Sequence, residues 1–149
     1  MTYKWGAIEM PVPAQTAGEF VEKLEARDGY VTAQTLLDDS RAEDAPLHNC
    51  FEWDDSKAAE KYRLRQARNI IANLVVISPE PAVNSRGFVT VAANRSPGRF
   101  VGIKRAMTDE GMRAQVLRNA LDELQNFRRK YANLQELAEL FAVIDKLVA

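Results

Sequence analysis

The sequence is poor in the residues that mark most metalloenzymes and secreted domains. It holds one cysteine, Cys50, and one histidine, His48, in 149 residues. An internal disulfide is therefore excluded, and the Cys and His sets that bind zinc cannot be assembled. Long apolar runs are missing as well. The longest stretches, such as Ile70 to Ile77, fall far short of the ~20 residues that cross a bilayer, and Met1 to Met10 does not read as a secretory signal. A soluble intracellular protein is expected, with no membrane partner. Net charge is almost absent too, 20 Lys+Arg standing against 21 Asp+Glu for a formal −1. Taken whole, that balance argues against a nucleic-acid binder. The length suits one domain, or one domain with a helical arm, and leaves little room for a second core.

The distribution of charge says more than its total. Residues 1–8 carry +1, and residues 9–55, with three basic and twelve acidic side chains, carry −9. Residues 56–105, with ten basic and two acidic, carry +8, and residues 106–149, with six and seven, carry −1. Between Pro81 and Thr108 stand Arg86, Arg95, Arg99, Lys104 and Arg105 with no carboxylate among them. Such a patch attracts phosphate whatever the charge elsewhere, because salt screens each patch beyond roughly 8 Å. The middle third is the candidate nucleic-acid face. The alternative is that the acidic first third folds against it and neutralises it internally.

Residues Thr16 to Ala26 read as a first helix, with Thr16 as N-cap, Glu19 at the capping-box position and Phe20, Val21 and Leu24 on one face. It should stop near Asp28-Gly29. Tyr30 and Val31 are β-prone, and Thr32 starts a second short helix carrying Leu36 and Leu37. Pro46 to Trp53 is a linker whose Leu47, Phe51 and Trp53 should plug the core, and Asp54 or Asp55 should cap a third helix over about Ser56 to Leu74. On that helix Ala59, Tyr62, Gln66 or Ala67, Ile70 and Leu74 form the expected buried stripe. Lys57, Lys61, Arg65 and Arg68 form a single-signed basic stripe on another face, near Asn69 and Asn73. Pro79 and Pro81 are incompatible with further helix.

Two β-rich runs, Gly87 to Ala93 and Arg99 to Ile103, flank Asn94-Arg95-Ser96-Pro97-Gly98 and predict a β-hairpin over about 86–104 with a cationic tip. Pro97 is best read as a turn residue, and Arg95 and Arg99 as phosphate contacts. Gly102 within the second strand suggests a bulge or a close approach. Beyond Thr108 the chain is helical, with one segment from about Asp109 to Tyr131 and another from Leu134 to Val148. Asn133 and Glu136 form a possible capping box between them. Leu117, Ala120, Leu124, Phe127, Tyr131, Leu134, Ala138 and Phe141 make a heptad-like seam. It belongs either to one long helix, which could bury it only against another chain, or to a helical hairpin. Leu117, Leu124, Phe127, Tyr131, Leu134 and Phe141 are the candidate oligomerisation residues.

The predicted class is α+β, mainly α. Residues 1–105 would form a winged helix-turn-helix-like domain of three helices and a β-hairpin wing, and 106–149 a dimerisation arm. The third helix and the wing hold the cations, so topology and charge agree. The candidate nucleic-acid contacts are Lys57, Lys61, Arg65, Arg68, Arg86, Arg95, Arg99, Lys104 and Arg105, the partner being DNA. His48 and Cys50 lie two apart in a loop with no third group to position them, and an activated thiolate needs a positioned base. Glu52, Asp54 and Asp55 match no cation-loop pattern. Neither catalysis, a metal nor a cofactor is expected.

The run His48-Asn49-Cys50-Phe51-Glu52-Trp53-Asp54-Asp55-Ser56-Lys57-Ala58-Ala59-Glu60-Lys61-Tyr62-Arg63, followed by Gln66-Ala67-Arg68, resembles a signature of uncharacterised proteins encoded by bacteriophages, prophages and other bacterial mobile elements. Lys130-Tyr131 with Leu134 and Leu137 resembles the same group, so the likeness covers most of the chain. The group has no settled activity, and no site residues carry over from it. The resemblance implies a bacterial cytoplasm and a phage-related role, compatible with regulating or organising DNA. The alternative is a phage assembly or interaction protein whose acidic first third and helical arm dock onto a phage or host protein.

Overall fold

The computed structural model describes residues 1–57, 59–77, 84–92 and 98–149. Its elements in order are β1 (Tyr3–Trp5), α1 (Ala14–Asp28), α2 (Ala33–Asp38), α3 (Glu60–Asn73), β2 (Leu74–Ile77), β3 (Asn84–Arg86), β4 (Phe88–Thr90), β5 (Phe100–Gly102), α4 (Ile103–Thr108), α5 (Glu110–Lys130) and α6 (Ala138–Leu147). The class is α+β and mainly helical, as the sequence predicts. Among the described residues, no helix is long and apolar enough to cross a membrane.

Helix α1 starts two residues before Thr16, directly after Pro13, and no side chain caps it. The proline has φ −56°, already close to helical, so the first turn forms without the Thr16 and Glu19 box. Glu19 instead accepts from Gln15 Nε2 at 3.0 Å. Ala14, Ala17, Gly18, Val21 and Leu24 face the core, and Gly18 lets the Tyr3 ring lie directly on the helix: a Cβ there would stand 2.1 Å from Tyr3 Cδ2. Gly29, at φ 84°, ends the helix and donates its N–H to the Glu25 carbonyl at 2.7 Å. Val31 then pairs with Phe100 of β5 through backbone bonds of 2.8 and 2.7 Å, and the Thr32 side chain caps α2 by accepting from Thr35 N at 3.0 Å. Leu36 and Leu37 are fully buried.

In the segment after α2, Leu47 and Phe51 are buried and Trp53 packs against the core, as the sequence suggests, and Cys50 is buried with them. Helix α3 begins later than expected, at Glu60. Neither aspartate caps it, because Asp54 is turned back onto Ser56 and Asp55 onto Arg63. Its buried side chains are Arg63, Ala67, Ile70 and Ile71. Tyr62, expected inside, is 47% exposed, while its neighbour Arg63 is buried against Glu52, Trp53 and Asp55. The β-branched run after Asn73 leaves the helix as β2, the central strand of an antiparallel sheet ordered β1-β2-β3. Tyr3 pairs with Val76 on one side and Val75 with Arg86 on the other. Pro79 and Pro81 lie outside the described residues.

The predicted hairpin is present and shorter than expected. Strand β4 pairs with β5 in the register Phe88 to Gly102, Val89 to Val101 and Thr90 to Phe100. Its turn, with Arg95 and Pro97, lies outside the described residues. Gly102 N donates to Glu25 Oε2 at 2.7 Å, so the close approach expected there is to an α1 carboxylate. After α5 the chain turns at Tyr131 and doubles back: Phe127 meets Phe141 at 6.4 Å between centroids, Arg128 lies 4.5 Å over the Phe141 ring, and Leu147 lies beside Leu121 and Gln125. The hairpin alternative therefore holds and the single long helix does not. The Asn133 box is not used, since the new turn at Gln135–Leu137 has no side-chain cap.

Candidate nucleic-acid interface

The ten cations of residues 56–105 divide by partner. Arg63 is buried and donates from Nε to the Glu52 carbonyl at 2.9 Å; it also pairs with Asp55 and stands 5.4 Å from the Trp53 ring centroid. Arg105, at the start of α4, donates to the Gly29 carbonyl at 2.8 Å and lies 3.7 Å from Glu25. There it closes the C-terminal end of α1, where a cation opposes the helix dipole. The acidic first third thus neutralises Arg63 and Arg105. Lys104, beside Arg105, is exposed at the rim of a cleft lined by Tyr3, Glu22 and Glu25.

Lys61, Arg65 and Arg68 are exposed on α3, and among the described residues no carboxylate pairs with any of them. Their spacing of four and three places them on one side of the helix, continued by Asn69 and Ala72. Lys57 is exposed in the turn before α3 and likewise unpaired. Like charges so close repel one another unless an anion lies alongside. Asn73 is not part of this row: it bonds to the backbone of Ile8 in the loop after β1.

The C-terminal half of this row opens onto a groove of about 670 Å³ between α3, the start of α2 and the β4–β5 hairpin. Thr32, Gln34, Arg68, Asn69, Arg86 and Phe100 line it. Arg86 reaches it from β3 rather than from the base of the hairpin strand, and it has an interaction partner of its own. Arg99 is exposed at the hairpin, with its guanidinium 4.6 Å over the Tyr30 ring. Arg68, Arg86 and the hairpin thus meet at one concavity, while Lys104 and Arg105 belong to a different cleft. Arg95 lies outside the described residues. Tyr30 and Gln34 were not singled out from the sequence. The signal available for Tyr30 was an aromatic residue just after the helix-ending glycine.

Several other groups have structural duties. His48 Nδ1 is 2.9 Å from the Ser40 carbonyl, and its ring stacks on Trp53 at 4.8 Å. The Cys50 thiol is buried, which pushes its pKa up to about 11 and disfavours the nucleophilic thiolate. The Asp54 carboxyl is held below its usual range by bonds from the Ser56 hydroxyl and N–H. Among the described residues, no group of three or more His, Cys, Asp or Glu could hold a metal ion.

In the arm, α5 has no buried side chain. Leu117 is 59% exposed, and Phe127 and Leu134 are exposed with it, whereas Leu124 and Tyr131 are half-buried and Phe141 is buried. The six seam residues therefore do not form one continuous face. Phe127, Tyr131 and Phe141 close on each other inside the helical hairpin. A bond from Asn119 Nδ2 to the Thr90 carbonyl at 3.2 Å joins the arm to the β4–β5 hairpin. No family model, curated protein or solved structure matches this chain.

Proposed function

We propose that the protein binds duplex DNA as a winged helix-turn-helix module and serves as a transcriptional regulator or DNA-organising factor of phage or mobile-element origin, in a bacterial cytoplasm. One observation carries the reading: the row Lys61, Arg65 and Arg68, with no carboxylate partner among the described residues, stands on the third helix of a chain running α1, Val31, α2, α3, β4, β5. Val31 bridges the edge of β5, so the three β segments lie in the order Val31, β5, β4, as a winged helix requires. The β2–β3 pair and the segment at 39–57 are insertions into that plan. In this reading α3 enters the major groove, with Lys57 at its start, and Arg99 and Arg95 at the wing hold phosphate. The test is titration of nuclease-treated protein with duplex DNA at low salt. Binding that weakens steeply as salt rises supports the reading, and no binding to duplex at low salt overturns it.

The arm would pair two copies, as palindromic half-sites require. Exposed Leu117 and Leu134 support this, and Leu117→Asp should shift a dimer to monomer in sedimentation. A second reading, a phage assembly or protein-interaction module without nucleic-acid binding, is favoured by Leu140, Val143 and Leu147, all exposed on α6. It expects a stable protein complex that nuclease leaves unchanged.

A further inference from the structure

The row on α3 changes chemistry along its length. Its first members, Lys61 and Arg65, are cations that do not line the groove; Arg68 and Asn69, which do, come next, and then Ala72, exposed as a bare methyl. A phosphate gains little from a neutral amide and nothing from a methyl. A base edge gains from both: adenine presents N7 and N6 to a carboxamide in two bonds, guanine presents O6 and N7 to a guanidinium, and a thymine methyl packs against alanine.

The groove lining points the same way. The Thr32 hydroxyl is taken up by Thr35, as N-cap at 3.0 Å and to its hydroxyl at 2.9 Å. Gln34 Nε2 donates to Asp38 at 3.1 Å, and Arg86 is engaged. Arg68 and Asn69 have no side-chain partner among the described residues. Their donors and acceptors stand open at the place where α3 faces the hairpin. An amide left open there costs nothing in water, but on a docked face it must be matched by a base or be left desolvated and unpaired.

Resting on the duplex-binding reading above, we infer that Arg68 and Asn69 read base edges in the major groove, Asn69 an adenine, while Lys61 and Arg65 hold phosphate. The site is then sequence-selective, and its preferred sequence contains an A·T pair recognised by Asn69.

The test selects a preferred duplex from a random pool with the full chain. It then measures wild type, Asn69→Ala and Arg65→Ala on that duplex and on a scrambled one across salt. Alanine is a better helix former than asparagine, so the exposed Asn69→Ala should fold, as circular dichroism will confirm. Asn69→Ala is expected to cut the preference for the selected site by roughly 5- to 150-fold, and to leave scrambled-duplex affinity and the salt slope unchanged. Arg65→Ala is expected to weaken both duplexes alike and to lower the salt slope by about one. If Asn69→Ala affects both duplexes equally, or neither, or if wild type selects no sequence, the inference is overturned and duplex binding stands. If wild type binds no duplex, both fall.

Discussion

Arg63 and Arg65 stand two residues apart on α3, which turns their side chains to different sides of the helix. Arg63 is enclosed by Glu52, Trp53 and Asp55, so its charge ties the loop at 52–55 to the core. Arg65 is exposed with Lys61 and Arg68 and, among the described residues, pairs with no carboxylate. The same residue type thus supports the fold on one side and is open to a partner on the other. Counting cations cannot separate these duties; the position of the carboxylates does. The same division runs through the hairpin region, where Arg105 is tied to Glu25 and Gly29 while Arg99, among the described residues, lies against the Tyr30 ring.

The strongest way to break this comparison is to reverse the open row. Lys61→Glu, Arg65→Glu and Arg68→Glu together should weaken duplex binding by on the order of 100-fold or more at low salt, while thermal stability changes by less than about 0.5 kcal/mol. A loss of stability that matches the loss of binding would place these residues in the fold instead. Next in size is Arg63→Ala, expected to destabilise by about 2 kcal/mol in denaturant unfolding, through loss of charged hydrogen bonds at a buried site. Below the unfolding transition its DNA affinity should be that of wild type.

Arg105→Ala should destabilise by about 1 kcal/mol, because its ion pair is partly exposed and its bond to Gly29 is single. The slope of affinity against salt should not change, which would set Arg105 apart from Lys61, Arg65 and Arg68. The smallest effect concerns acid. Arg27 holds the Asp28 carboxyl below its ordinary value of 3.8 by hydrogen bonding. This stabilisation is present above that value and is lost as pH falls through the lower folded pKa, because the unfolded chain binds the proton first. Arg27→Ala should therefore move the acid-unfolding midpoint upward by less than about half a pH unit, the pair being exposed and screened.

Much of the fold was legible where local chemistry decides it. Gly29 ends α1, Thr32 caps α2, and Leu36, Leu37, Leu47 and Phe51 are buried as their pattern suggests. The hairpin was legible from two β-rich runs around a turn sequence. The helix starts were not: Pro13 displaced the Thr16 box, and Asp54 and Asp55 were drawn to Ser56 and Arg63, partners that spacing alone does not reveal. The β1-β2-β3 sheet was missed because Tyr3–Trp5 and Leu74–Ile77 are short and meet only through long-range pairing. Tyr62 was misplaced because a tyrosine fits either face of a helix, and the contacts of Arg63 with Glu52, Trp53 and Asp55 turn that neighbouring position inward instead. Within the interface, the row from Lys61 to Arg68 could be read from period and sign. The sorting of Arg63 and Arg105 away from it required the tertiary contacts with Glu52, Asp55 and Glu25. The seam of the arm was legible as apolar, but its fold-back at Tyr131 was not, because a heptad pattern suits a long helix and a hairpin equally.

The most direct test is the salt dependence of duplex binding for wild type beside a variant with Lys61, Arg65 and Arg68 all changed to Gln, which removes charge and keeps helix propensity. A plot of log affinity against log salt should be steep for wild type and shallower for the variant by about 0.9 for each lost phosphate contact, with unchanged thermal unfolding. Equal slopes for the two proteins, or no duplex binding by wild type at low salt, would contradict the assignment of α3 as the DNA-facing helix.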